Sequence, residues 1–178
     1  MAVANTKSTT ITNRDSVPLV LSDGRIIRSV IKGAVGSVAV GAADSINSYY
    51  PLVEIPTTAI LREVLLTATA GMTSLTGNVG VFKNTANSAG VTTGVVANTS
   101  SNTFFASATA LSSALNRSDV TNSAGTYTTD LRELPLWKAI GLTSDPGGTF
   151  DIGIQVTAAN TGSAGRVGLE IQYVDNGS

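Results

Sequence analysis

The chain has 178 residues, enough for one domain that buries roughly 70% of its unfolded surface and short for two. Its 11 basic and 12 acidic residues leave a net charge of -1, so no global field draws it to nucleic acid or an anionic membrane, and neither is an expected partner. Cysteine and histidine are both absent, which excludes thiol nucleophiles, disulfides, histidine general bases and zinc sites built on those residues.

Charged residues make up 13% of the chain, about half the usual share. Ser and Thr together supply about a quarter of the residues, and there are 18 glycines. Thr and Val suit a pleated surface, while Gly and Asn break helices and make turns, so the composition predicts an all-β fold.

In chain order, residues 1–16 are polar and without period, and read as an extended arm. "VPLVLSDGRIIRSVI" has two apolar runs meeting at Asp23-Gly24, a hairpin signal, with Pro18 confining the first run to an edge; an extended arm with one turn is the alternative. The arm is therefore assigned to residues 1–33 and the main domain to 34–178, where Val38 and Val40 alternate with small residues as in a half-buried strand. A strand follows at Tyr50 to Ile55, closed by Pro56.

"AILREVLLTATAG" fits a helix by the spacing of Ile60, Leu61, Val64 and Leu65, but the flanking threonines, Pro56 and Gly71 favour a strand. "GNVGVFKN" is another strand, with Val79 and Val81 on one face. Residues 91–116 read as a weak strand followed by a short helical turn near Ala110 to Leu115. Pro135 opens and Gly141 ends a short helix, "PLWKAI", and "DPGG" turns the chain into a strand whose Phe150, Ile152, Ile154 and Val156 share a face. The last strand carries Val167, Leu169, Ile171 and Tyr173, and the two are expected to pair as a terminal hairpin. Seven or eight such strands predict an antiparallel β-sandwich or jelly roll.

The chemistry left by the composition is carboxylate, Ser/Lys or calcium chemistry. "GAVGSVAVG" lacks the Lys-Ser/Thr of a phosphate loop, and no Ser-x-x-Lys occurs. Asp119, Asp130, Glu133, Asp145 and Asp151 form the densest acidic group, yet Asp145 sits in a turn that Asp favours structurally and Asp151 alternates outward from an apolar strand face, so a turn role is expected for the first and a solvated position for the second. "DVTNSAGTYTTD" only partly matches a calcium loop. No catalytic residue, metal or cofactor is assigned. Trp137, bracketed by Leu134, Leu136, Ile140 and Leu142, reads as a plug at the end of the sandwich rather than a ligand platform. In residues 1–32, Lys7, Arg14, Arg25, Arg28 and Lys32 outnumber Asp15 and Asp23, a net of +3 against -4 for the remainder. That segment is either a solvated arm or one that docks on an acidic protein surface.

The stretches "YYPLVEIPTTAILREVLLTATAG", "NVGVFK", "FFASATALSSALNRSDVTN" and "ELPLWKAIGLTSDPGGTFDIGIQVTAA" followed by "RVGLEIQYVD" resemble the capsid decoration, or cement, proteins of tailed bacteriophage heads. The resemblance runs from about residue 34 onward. It implies a non-enzymatic jelly roll that assembles as a homo-oligomer, often a trimer, outside the expanded capsid and bridges major capsid protein subunits. It also fits an N-terminus without an apolar signal region, since such a virion protein is made in the host bacterial cytoplasm. The five basic arm residues are then the candidate capsid or intersubunit contacts. A tail or fibre protein and a carbohydrate-binding sandwich are the competing readings.

Overall fold

The computed structural model describes residues 30–83 and 101–175. The possible hairpin around Asp23-Gly24 lies outside the described residues, as do residues 91–100 of the stretch read as a weak strand; the described remainder of that stretch holds a strand at Ala106–Ala110. Among these residues there are eight strands: β1 (Ile31–Val40), β2 (Tyr49–Pro56), β3 (Ile60–Ala68), β4 (Thr76–Lys83), β5 (Ala106–Ala110), β6 (Leu115–Asp119), β7 (Thr149–Ala158) and β8 (Gly165–Val174). One helical turn, α1 (Leu136–Ala139), and two 3-10 turns at Ser101–Thr103 and Leu131–Glu133 complete the described chain.

The strands form two antiparallel four-stranded sheets, ordered β1-β8-β3-β6 and β2-β7-β4-β5. The pairs β1/β8, β2/β7, β3/β6 and β4/β5 nest one inside the next, as in a long hairpin wound around itself, and this is the topology of a jelly roll. The apolar row Phe150, Ile152, Ile154 and Val156 of β7 and the row Val167, Leu169 and Ile171 of β8 are buried in one cluster between the sheets.

The expected β7/β8 hairpin does not form. β7 lies between β2 and β4, and β8 between β1 and β3 in the other sheet. Two central strands with complete apolar faces bury more by facing each other across the core than by sharing one face of one sheet. Residues 159–164 make the crossing. Their anchor is Asn160, buried at 3% exposure, whose amide donates to the carbonyls of Gly41 (2.8 Å) and Ser163 (2.9 Å) while its oxygen accepts from the Gly162 amide (3.0 Å). Every polar group of that side chain is matched, as its burial demands.

β3 is the strand that the spacing of its apolar residues left open to a helix. A register shift between Leu61 and Glu63 reverses the alternation, so Leu61, Val64 and Leu66 join the core cluster while Ile60 and Leu65 are also buried. The helical turn expected near Ala110 to Leu115 is absent. Leu111 is fully buried, its amide donates to the Leu75 carbonyl at 2.9 Å, and the chain bends at the following serines into β6. A tertiary bond to the entry of β4 there replaces the local bonds of a helix.

Helix α1 forms where expected, with Pro135 as its extended N-cap and Gly141 at φ 87° beyond its end. The plug is shifted by one residue. Leu136 is 1% exposed and Ile140 3%, whereas Trp137 is only half-buried and packs against the core from its rim. The Leu136 and Trp137 amides donate to the carbonyls of Ala59 (2.8 Å) and Thr57 (3.1 Å), which pins the helix beside the start of β3 and selects which side chain points inward.

Candidate interaction surfaces

Of the basic residues assigned to the arm, Lys7, Arg14, Arg25 and Arg28 lie outside the described residues. Lys32 lies on β1, opposite Tyr173 of β8. Its ammonium stands 3.3 Å from the Asp175 carboxylate, itself within 3.3 Å of the Thr58 hydroxyl. The Lys32 side chain is 46% exposed, so this pair contributes roughly 0–1 kcal/mol. It ties the start of β1 to the end of β8.

The acidic residues do not converge. Asp119 accepts from the hydroxyl and amide of Thr121, and these bonds hold its carboxyl below the usual value. Asp145 accepts from the Gly147 amide at 2.9 Å, the turn role expected of it. Asp130 and Glu133 flank and end the second 3-10 turn. Among the described residues no group of three or more carboxylates is placed to hold a metal ion.

Asp151 is not the solvated side chain its outward position suggested. It lies half-buried on the outer face of its sheet, opposite Glu54 of β2 on one side and Phe82 of β4 on the other. Burial first, and the Glu54 charge second, raise its carboxyl above the ordinary range. Beside it Tyr49 and Phe82 pack with ring centroids 4.4 Å apart and planes tilted by 47°, and the buried Tyr49 hydroxyl has no hydrogen-bond partner among the described residues. Because Asp151 holds its proton more tightly folded than unfolded, its contribution favours folding below the unfolded value and is lost as pH rises through the folded one. Asp151→Asn is therefore expected to raise the urea midpoint at pH 7, with the gain disappearing near pH ~3, where the native carboxyl is protonated in both states. A lower midpoint at pH 7 would show that the carboxylate stabilises the fold.

The four sheet edges differ in how they meet solvent. β2 carries Pro51 and Pro56 and a register shift after Pro51. β5 and β6 have five residues each, with Ala108 (φ 47°) and Arg117 (φ 52°) in the left-handed region and a register shift in each pairing. Short length, proline and bulges are the devices that stop an edge from pairing with another chain.

β1 has none of them. It pairs with β8 over ten residues without a shift and contains no proline. Among the described residues, three of the four exposed large apolar side chains, Val30 (75%), Ile31 (61%) and Val35 (78%), lie on it or just before it. A groove of about 320 Å³ runs beside Val35 on the outer face of the sheet, with Gly168 between Ser37 and Thr67 and the charges of Arg166 and Glu170 at its sides. Glu170 is engaged by Arg117 at 2.9 Å. Sequence reasoning placed the start of the domain at Ala34 and so missed this edge; the apolar pair Val30-Ile31 ahead of "KGAVGSVAV" was the available signal.

No family model and no curated protein matches the chain. Among solved structures the chain is similar to one described as the cyanophage Pam1 capsid asymmetric unit, with 21% identity over 87% of this chain and 91% of that chain and a TM-score of 0.47.

Proposed function

We propose that the protein is a structural component of a phage virion that binds the outside of the expanded capsid and bridges major capsid protein subunits. The observation that carries this reading is where the resemblance to decoration proteins falls. Its quoted stretches fall on β2, β3, β4, the β5–β6 region, α1, β7 and β8, that is, on the described helical turn and on every described strand of the jelly roll except β1. The positions shared with that family are thus positions that build a sandwich, which is what a protein working by its surface has to retain. The basic residues Lys7, Arg14, Arg25 and Arg28 would contact an acidic capsid or neighbouring subunit, and the protein would act as a small homo-oligomer, a trimer in the form the resemblance implies.

The mechanism is mass action. A subunit that binds the expanded lattice and not the unexpanded one stabilises the expanded state by its binding free energy, and an oligomer engaging several sites together gains avidity without new contacts. The test is co-sedimentation of the purified protein with expanded heads that lack it and with unexpanded proheads. Saturable binding to expanded heads alone is the expected result. Absence of binding to both overturns the reading in favour of a tail or fibre component, and glycan binding lost in Trp137→Ala would favour a carbohydrate module.

A further inference from the structure

We infer that β1 is a self-pairing edge, and that the sheet β1-β8-β3-β6 continues across a two-fold axis into β1 of a second copy. This contact is independent of the capsid reading. It starts from the one sheet edge that, among the described residues, has neither short length, proline nor a bulge and carries a single charge, Lys32, already facing Asp175; the same edge carries the exposed apolar side chains. β8 is the only strand paired with β1 among the described residues, and toward those residues the other edge of β1 leaves its backbone donors and acceptors unpaired.

The identity of the occupant follows from symmetry and charge. A two-fold axis perpendicular to the sheet pairs antiparallel strands so that outward side chains meet outward side chains. The extended segment from Val30 to Val40 has Val35 at its centre. Pairing about that residue puts Val35 opposite the partner's Val35, Ile31 opposite the partner's Ala39, and Gly33 opposite the partner's Ser37. No like charges meet. Lys32 is the only charged residue of the strand; it falls opposite the partner's Val38, six residues or about 20 Å from the partner's Lys32. The exposed Val35 side chains would cover each other next to the two grooves, removing the most exposed large apolar residue of the described chain from water.

The chain has no cysteine, so the register can be read directly. A single cysteine at position 35 would face its own symmetry mate at a Cα separation within disulfide reach, while one at position 37 would lie four residues from its mate. The expected result with Val35→Cys, oxidised at micromolar concentration, is a covalent dimer on a non-reducing gel; Ser37→Cys under the same conditions should remain mostly uncrosslinked. Val35→Glu, a change at an exposed site that leaves the core untouched, should weaken association at least tenfold by sedimentation equilibrium. Equal cross-linking at both positions, or at neither, overturns the proposal. So does a trimer whose stability Val35→Glu does not alter, or a monomeric protein whose head binding Val35→Glu abolishes, since the edge would then serve a strand of the shell.

Discussion

Phe105→Ala is expected to destabilise the protein by about 3–5 kcal/mol, the range for deleting a fully buried aromatic ring. Phe105 is 0% exposed and makes edge contacts with Phe104 at 5.2 Å and Tyr127 at 5.5 Å between ring centroids. Its backbone joins three segments: the amide donates to Val79 of β4 at 3.0 Å, and the carbonyl accepts from Ala124 at 2.8 Å in the loop after β6. Tyr127 continues the link, its hydroxyl donating to the Leu61 carbonyl of β3 at 2.9 Å, in the opposite sheet from β4. The ring thus packs where both sheets and the β6–α1 connection converge. A loss of that size takes a large part of the roughly 5–15 kcal/mol typical of a domain. Urea denaturation should show a lower midpoint with an unchanged slope. Tyr127→Phe, which retains the ring and removes only the hydroxyl, should cost about 1 kcal/mol. A near-neutral Phe105→Ala would mean that the neighbouring rings collapse into the space.

What the sequence disclosed here, and what it hid, follows from the range of the forces involved. β4, β7 and β8 were legible because each carries an apolar row at every second residue, a local property, and β2 because Pro56 closes a short apolar run. The pairing of β7 with β8 was misread because the choice between one sheet and two depends on what else is available to cover each face. β2 and β4 flank β7, and β1 and β3 flank β8, partners more than 60 residues away in the chain for every one of them. Ala110 to Leu115 looked helical locally and was overruled by one long-range bond to Leu75. Trp137 and Leu136 are neighbours with similar apolar character; the bonds from α1 to Thr57 and Ala59 decide which turns inward.

The surface was less legible than the core. Val30 and Ile31 fall in the segment read as an arm, and their exposure, with that of Val35, emerges only once β1 proves to be an edge. Gly36 is a related case. A Cβ there would lie 1.7 Å from the Leu52 carbonyl oxygen, so the glycine permits β2 to approach the inner side of β1, and that demand has no local sequence pattern. The turn role of Asp145, by contrast, was visible because a turn aspartate bonds a backbone amide two residues on.

Removing residues 1–29 is expected to weaken binding to expanded heads about ten- to hundredfold while leaving the denaturation midpoint unchanged, on the reading that the basic arm contacts an acidic surface. Among the described residues the first strand starts at Ile31 and the core cluster draws on none ahead of Ala34, which is the ground for expecting this separation. Charge can be distinguished from chain length by replacing Lys7, Arg14, Arg25 and Arg28 together with glutamine. If the contact is electrostatic, that variant loses most of the affinity and most of its dependence on salt, because exposed charges are screened beyond about 8 Å at physiological ionic strength. Lys32→Gln should behave differently from those four. Its ammonium already faces Asp175, so the change costs little in head binding and instead loosens the junction between β1 and β8. Equal losses from Lys32→Gln and from the four-residue variant would mean that the β1 edge itself, rather than the arm ahead of it, meets the capsid. Head binding unchanged by either would leave the arm a solvated extension and move the contact to the sandwich.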